Sequence, residues 1–438
     1  MKTAEIDVLL LSGAQVTFPA SSSTYGEDLF KRVTEHLSLN ETDYFGLKWT
    51  NQEGLNCWLV PDKTLKEQSL SLKQRLHFAI KFYPSDPGQV LLEELTRYLF
   101  TLSFKHELHR GLVPCNETMK AFLASCLVQS EFGDFDEDDE KCQGVGYIEE
   151  LLVLPPGTDM SLLDQVKKYH RQRIGQRPFE SDHALLEKAK QIETYGATLI
   201  ECRDNHQVPC RMSPSSRGIL VFQQQSLVQT WDWSVIRKIS FKQREFLIKL
   251  RRADGTPSDT KHFHFRSRNA AKGFWKYAIE NHGFFHLKTS SPVKKKPMLV
   301  SKGSQFRYAG KTQEELNISI TPTKEQRYER KTSIRKPKTM AKDKEDYKQL
   351  HSQSDQQPQV TPNDNDSQPS SPSPLASPIP PPDPNHVPTS MINSIIKDAE
   401  QVVDGRPTRF FQLSSSDPSK RDTRVEARAP GGLRHDLR

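Results

Sequence analysis

Two histidine pairs have the spacing of possible metal ligands. His106 and His109 are three residues apart in a helical pattern, and His262 and His264 alternate in a strand pattern. A zinc site needs three or four protein ligands that converge on one point. Neither pair has a third ligand near it in the sequence. We therefore expect these histidines to be hydrogen-bonded within the protein or exposed to solvent, and we expect neither a metal site nor a cofactor.

Motifs for covalent or phosphoryl-transfer chemistry do not occur in the chain. The sequence lacks the phosphate loop G-x-x-x-x-G-K-[ST], the nucleophile elbow G-x-S-x-G and the kinase triplets, and no cysteine begins a tyrosine-phosphatase loop. An enzyme of these classes needs such a nucleophile or phosphate cradle at a defined spacing. We therefore expect a protein that binds other molecules and does not act as an enzyme.

The chemistry that the sequence does offer is a basic, alternating strand. Its pattern predicts an apolar face formed by Val235, Ile239 and Phe241 and an opposite face formed by Ile236, Lys238, Ser240 and Lys242. A turn near Arg244 leads into a second alternating run, in which Phe246, Ile248 and Leu250 share one face. This pattern indicates a half-buried antiparallel hairpin with a basic outer surface.

An amphipathic helix is predicted shortly after this hairpin. Ser267 is a candidate N-cap and Gly283 a candidate stop, and the apolar side is formed by Ala271, Phe274, Trp275, Ala278 and Ile279. A sheet closed by a C-terminal helix is the plan of a pleckstrin-homology-like module, and its groove can accept a peptide by strand addition. The candidate binding residues are Ile236, Lys238, Ser240, Lys242, Arg244, Trp275 and Ile279. The alternative is that these charges are ordinary solvated side chains.

The preceding residues predict two further lobes. Residues 6–83 have the order strand, strand, helix and further strands, which matches a ubiquitin-like β-grasp. Residues 87–196 change to amphipathic helices joined by short loops, with Asn116 as an N-cap. Helices are predicted at 90–111, at 161–175, and at 181–196 between Ser181 and Gly196.

Composition and charge place the less structured part of the chain after residue 288. The 438 residues carry a net charge of +7, and residues 288–345 hold 16 Lys and Arg against 6 Asp and Glu. This basic run fits an anionic membrane surface or an acidic partner. Nucleic acid is not expected, because the run lacks interleaved aromatics. The six scattered cysteines contain no C-x-x-C pair, which indicates reduced thiols.

Three motifs in the tail suggest regulation or docking. Ser333 follows Arg330 and Lys331 and resembles a basophilic kinase site, where a phosphate would weaken membrane attraction. The proline-rich stretch 372–384 could dock an SH3 or WW protein, or serve as a spacer. Residues 390–405 predict a short amphipathic helix that either folds on a partner or on the other lobes, or forms only transiently. The rest of 346–438 is predicted to be a disordered Pro/Ser-rich tail.

The order of these modules resembles the FERM domain of the band 4.1 superfamily. Local strings that carry the resemblance occur in all three lobes, at DYFGL (43–47), KFYP (81–84), EELTRYLF (93–100), LVQSEFGDFD (127–136), RGILVFQ (217–223), IRKISFK (236–242) and NHGFFHL (281–287). The resemblance predicts an α+β multi-lobe fold. Its parts are a ubiquitin-like lobe at 1–84, a helical, acyl-CoA-binding-like lobe at 87–190 and a pleckstrin-homology-like lobe at 191–288.

The resemblance continues into a FERM-adjacent segment, assigned to 289–345, through SKGSQFRYAGKTQEEL (301–316). Family members commonly carry a serine where this chain has Ala309, which leaves Ser304 and Thr312 as candidate phosphorylation sites. The family implies a cytoplasmic adaptor at the inner face of the plasma membrane. Its expected partners are cytoplasmic tails of membrane proteins, a phosphoinositide or other anionic lipid, and cytoskeletal proteins reached indirectly. The alternative is a shortened relative of a FERM guanine-exchange factor or tyrosine phosphatase that lacks the catalytic domain.

Overall fold

The computed structural model describes residues 4–251, 257–289 and 306–318. Within these ranges the chain forms two sheets, a group of helices between them in sequence, and a short segment after the last long helix. We call the three parts lobe 1, lobe 2 and lobe 3, in chain order. The domain limits given above stay predictions.

Lobe 1 is a five-stranded sheet that packs against one helix. Its elements are β1 (Ala4–Leu9), β2 (Gln15–Ala20), α1 (Gly26–His36), β3 (Phe45–Thr50), β4 (Asn56–Trp58) and β5 (Leu76–Ile80). The strand order is β2-β1-β5-β3-β4, in which the β1–β5 pair is parallel and the other pairs are antiparallel. Alternation buries Ile6 and Val8 of β1 completely, and the helical spacing of Leu29 and Val33 of α1 buries both of these side chains as well.

Lobe 2 consists of helices arranged around one buried helix. Its elements are α2 (Pro87–Val90), α3 (Glu94–His109), α4 (Glu117–Phe132), α5 (Glu140–Gln143), α6 (Gly146–Glu150), α7 (Met160–Arg171) and α8 (Pro178–Ala189). Every residue of α4 from Ala121 to Phe132 is buried, because α3, α7 and α8 pack around it. Asn116 is the N-cap of α4 as predicted, and its side-chain oxygen accepts a hydrogen bond from Met119 N at 2.8 Å.

The prediction for the last helix of lobe 2 was wrong at both ends. α8 begins at Pro178, whose fixed φ suits the first helical position, and Arg177 is the N-cap. Ser181 is completely buried inside the helix and donates a hydrogen bond to the carbonyl of Cys126 at 3.0 Å. α8 ends at Ala189, and Gly196 lies beyond it in a turn with φ +67°.

Lobe 3 is a seven-stranded antiparallel sheet closed by a long helix. Its strands are β6 (Ile200–Asp204), β7 (Pro209–Ser215), β8 (Gly218–Gln223), β9 (Ser226–Trp231), β10 (Ile236–Lys242), β11 (Glu245–Arg251) and β12 (Pro257–His264). The strand order is β10-β11-β12-β6-β7-β8-β9. Helix α9 (Arg268–His286) has Ser267 as its N-cap, as predicted, and buries Phe274 and Ala278 in the core.

Gly283 does not end this helix, contrary to the prediction. α9 continues through Gly283 to His286. A Cβ atom at Gly283 would lie 2.5 Å from the Cβ of Tyr308, so the missing side chain makes room for a neighbouring segment. That segment, residues 306–318, ends in α10 (Gln313–Ile318), and we call it the strap.

Buried contacts join lobe 1 to lobe 3. Lys81 Nζ of lobe 1 lies 2.8 Å from Glu280 Oε1 of α9, and both side chains are nearly buried. Phe82 stacks on Phe284 at 4.3 Å between ring centroids.

Lobes 1 and 2 are joined by two reciprocal carboxylates. Glu41 accepts hydrogen bonds from the backbone N–H groups of Leu92 and Glu93 at 3.0 Å each. Glu93 in turn accepts bonds from the backbone N–H groups of Asn40 and Glu41 at 3.1 Å each. Four backbone donors at this junction are therefore satisfied across the lobe boundary.

Candidate partner-binding surface

Strand β10 forms one edge of the lobe 3 sheet. Among the described strands it pairs only with β11. Its pairing shifts register between Ile236 and Lys238, which is the signature of a β-bulge. The bulge turns Ile236 toward the core together with Ile239 and Phe241, so the prediction that Ile236 lies on the outer face was wrong.

The basic side chains predicted for partner contacts lie at this edge. Lys238, Lys242 and Arg244 are exposed, and Ser240 is half-buried. The outer side of β10 is therefore a row of cations beside backbone groups that no described strand covers. An unpaired strand edge is a template for an added strand.

The two predicted helix residues support this edge from the core side. The Trp275 indole N–H points at the carbonyl of Ile239 at 3.4 Å, and its ring packs on Phe241 at 5.2 Å. Trp275 is only 6% exposed, and Ile279 is half-buried against the same core. Trp275 therefore joins α9 to β10, and Ile279 packs against the same core.

The strap occupies part of the surface next to Trp275. Phe306 packs on Trp275 at 6.2 Å between ring centroids, and Lys276 Nζ lies 5.2 Å above the Phe306 ring. Tyr308 contacts the Phe82 ring of lobe 1 at 6.0 Å and lies against Gly283 of α9. The strap thus bridges lobes 1 and 3.

Thr312, a predicted phosphorylation site, is completely buried in the strap. Its hydroxyl donates to the carbonyl of Lys288 at 3.1 Å, and its backbone N–H donates to Glu315 at 2.8 Å. A kinase reaches this hydroxyl only after the strap has detached. Phosphorylation of Thr312 stays a prediction.

A basic cavity of about 1350 Å³ lies at one end of the lobe 3 sheet and was not predicted. Arginines of four segments line it: Arg203, Arg211, Arg244 and Arg266. Arg203 donates to the carbonyl of Gln207 at 2.8 Å, and Arg266 donates to that of Glu53 in lobe 1 at 2.9 Å. The sequence signal was weak, because these arginines belong to four separate segments that only the folded sheet brings together.

The remaining predicted sites fall outside the described residues. These are Ser304, Ser333, the proline-rich stretch 372–384 and the helix 390–405. Within the described ranges, no three His, Cys, Asp or Glu residues are grouped so that they could hold a metal ion. No helix in those ranges has the length and hydrophobicity needed to cross a bilayer.

Comparison with family models places this geometry in a known group. The FERM N-terminal domain matches residues 8–70, the FERM central domain 86–199, and the FERM C-terminal PH-like domain 204–293. Together the three matches cover more than half of the chain. They confirm the predicted combination of a ubiquitin-like lobe, a helical lobe and a pleckstrin-homology-like lobe.

Alignments to similar curated proteins cover about 71–72% of this chain. Over 319 residues it is 39% identical to FERM, ARHGEF and pleckstrin domain-containing protein 1 of Gallus gallus, and over 313 residues 37% identical to FERM domain-containing protein 7 of Mus musculus. Band 4.1-like protein 3 of Homo sapiens is 36% identical over 313 residues. The matches span 30%, 44% and 28% of these relatives' own lengths, respectively.

A solved structure agrees with the fold. The crystal structure of the FERM and C-terminal domain complex of Drosophila Merlin superposes with a TM-score of 0.57 at 21% sequence identity. The superposition covers 64% of this chain and 95% of that one. The chain is therefore a FERM-domain protein of the band 4.1 superfamily.

Proposed function

We propose that this chain is a non-enzymatic adaptor that binds the cytoplasmic tails of membrane proteins through lobe 3. The observation that carries the proposal is the unpaired edge of β10, with Lys238, Lys242 and Arg244 exposed beside it. An extended tail would add as a strand, and the cations would attract its acidic residues. Such a protein acts at the inner face of the plasma membrane and links it, directly or through other proteins, to the cytoskeleton.

An anionic lipid is the second proposed ligand. The arginines that line the lobe 3 cavity supply planar, bidentate donors that suit the phosphates of a phosphoinositide headgroup. Simultaneous binding of a lipid and a tail would fix lobe 3 against the membrane. This contact should weaken as the salt concentration rises, because exposed charges are screened.

Titration of fluorescent tail peptides with the purified chain tests the tail proposal. We expect the double substitution Lys238→Glu and Lys242→Glu to lower the affinity for an acidic tail peptide by about ten-fold or more, because it replaces attraction with repulsion. Lys66→Glu, at an exposed site in lobe 1, makes the same kind of charge change away from the edge and should leave affinity unchanged. Equal binding by the double variant and the wild type would overturn the proposal.

One relative favours a second candidate function. The Gallus gallus protein has ARHGEF and pleckstrin domains in its name, and this chain matches 30% of its length. In this role the chain corresponds to the FERM part of an exchange-factor relative, and it competes with such a protein for its partners. A competition assay, in which this chain displaces a full-length exchange factor from a tail peptide, distinguishes this role from that of an independent adaptor.

A further inference from the structure

Two cysteines of lobe 3 face each other across the β6–β7 pair. Cys202 and Cys210 are direct partners in the antiparallel register, and their sulfur atoms are 3.3 Å apart. Opposed residues in such a ladder have Cα atoms roughly 4.5–5.5 Å apart. A disulfide tolerates Cα separations of roughly 4.4–6.8 Å. The backbone therefore already has a separation that a disulfide accepts, and only the sulfur atoms need to move closer.

Both cysteines belong to the lobe 3 core and also border its basic cavity. Cys202 and Cys210 are only 7% and 5% exposed, yet both line the basic cavity at the end of the sheet. The same lining includes the exposed side chains of Arg203, Gln207 and Gln224, so the cavity is open to solvent. A molecule as small as hydrogen peroxide can enter such a cavity.

The two thiols have different chemical roles. The hydrogen bond between them lowers the pKa of Cys210 and raises that of Cys202. Burial raises the Cys202 pKa further. Because the thiolate is the nucleophile, Cys210 is the thiol that reacts first and Cys202 is the resolving thiol.

We propose that Cys202 and Cys210 are a redox-sensitive dithiol that closes to an intrachain disulfide on exposure to hydrogen peroxide. The Cys210 thiolate attacks one peroxide oxygen, so that an S–O bond forms, the O–O bond breaks and hydroxide leaves. Cys202 then attacks the Cys210 sulfenic acid, so that the S–S bond forms, the S–O bond breaks and a second hydroxide leaves. The two protons of the original thiols convert both hydroxides to water. The two sulfurs are oxidised by one electron each, and the peroxide is reduced to two waters.

Mass spectrometry of the full-length, pre-reduced chain tests the proposal. After peroxide treatment and alkylation in denaturant, we expect the wild type to lose two of its six alkylatable cysteines. Trypsin cleaves after Arg203, which separates the two cysteines, so their disulfide appears as one linked pair of peptides that a reductant splits. Six alkylated cysteines after treatment, or a link that involves other cysteines or a second chain, would overturn the proposal.

Three variants assign the roles. Cys202→Ser should leave a sulfenic acid at Cys210 that a dimedone probe captures, whereas Cys210→Ser should prevent labelling at Cys202. Cys57→Ser removes a lone, half-buried thiol of lobe 1 and should still form the linked pair at the wild-type rate. Linkage in the wild type tests the proposal even if a serine variant fails to fold. An equal dimedone yield at the remaining cysteine of both variants would contradict the assigned order.

Discussion

Lys81 connects two lobes through a single buried charge pair. Its ammonium lies 2.8 Å from Glu280 and also 5.7 Å from the centroid of the Trp58 ring. Removing one member of a buried pair leaves the other charge without compensation. We expect Lys81→Met to lower the free energy of unfolding by about 3 kcal/mol, measured by chemical denaturation.

The matched control is Lys31→Met. Lys31 forms an exposed pair with Glu35 on α1, with 72% and 63% of the two side chains accessible. Exposed pairs contribute little, so the change should stay within about 0.5 kcal/mol. A Lys81→Met effect as small as this control would show that the charge pair does not stabilise the junction.

His170 should make stability depend on pH. Burial lowers its pKa to about 4, from 6.5 in an exposed histidine, and its ring nitrogens lie near Gly133 O at 2.8 Å and Tyr147 Oη at 3.1 Å. Between these two pKa values the unfolded chain binds a proton that the folded chain does not, so stability falls as the pH decreases from 6.5 to 4. At pH 5 this loss is about 2 kcal/mol.

The variant His170→Asn isolates this effect. Its unfolding free energy should lie below that of the wild type at pH 7, and the difference should shrink by about 2 kcal/mol at pH 5, because only the wild type loses the histidine contribution. Denaturant titrations at both pH values measure it. Parallel pH profiles for the two proteins would contradict the assignment.

At the scale of elements, the strap depends on one missing side chain. A Cβ at Gly283 would overlap Tyr308, at 2.5 Å from its Cβ and 2.6 Å from its ring. We expect Gly283→Ala to displace the strap from α9, which hydrogen exchange would show as lost protection at residues 313–317. Lobe 3 should keep its fold, because alanine suits a helix interior.

Gly273 provides the control in the same helix. A Cβ there meets nothing within 4 Å, so Gly273→Ala should keep the strap protected and stabilise α9 by about 0.5–1 kcal/mol. Equal protection of the strap in the two variants would mean that Tyr308 is not held by contact with Gly283.

At the scale of the whole molecule, lobe 3 should be less stable alone than in the chain. Tyr277 and Phe284 of α9 are 5% and 0% exposed, and their ring partners Trp58 and Phe82 belong to lobe 1. A fragment of residues 191–318 would expose both rings to water. We expect it to lose about 3 kcal/mol or more of unfolding free energy relative to lobe 3 in the full chain.

Denaturation of the fragment and of the full chain, followed by tryptophan fluorescence, checks this expectation. The fragment retains Trp231, Trp233 and Trp275, so both proteins report on lobe 3. A fragment that unfolds at the same denaturant concentration as the full chain would show that the lobes fold independently.

Features that local pattern determines were predictable from the sequence. Asn116 caps α4 and Ser267 caps α9 because each needs only its own side chain and a backbone N–H three residues on. The alternation that buries Phe246 and Ile248 is equally local. The order of the lobes followed from such segments together with the family resemblance.

Features that distant contacts determine were not predictable. The bulge at Ile236 turns this side chain from the predicted outer face of β10 to the core face, and the local alternation of residues does not predict it. Gly283 resembles a helix stop until Tyr308 is seen against it. The pairing of Cys202 with Cys210 depends on the β6–β7 register, although the short, turn-forming stretch between them was a usable signal.

The reciprocal glutamates have a consequence for protein engineering. The Glu41 carboxylate accepts hydrogen bonds from the backbone N–H groups of Leu92 and Glu93. The Glu93 carboxylate accepts them from the backbone N–H groups of Asn40 and Glu41. Consider a chimera in which lobe 1 or lobe 2 comes from a protein that lacks the corresponding glutamate. Two backbone N–H groups at the boundary between the lobes would then lose their hydrogen-bond acceptor. Grafts within this family should therefore carry both acids together, or cut the chain elsewhere.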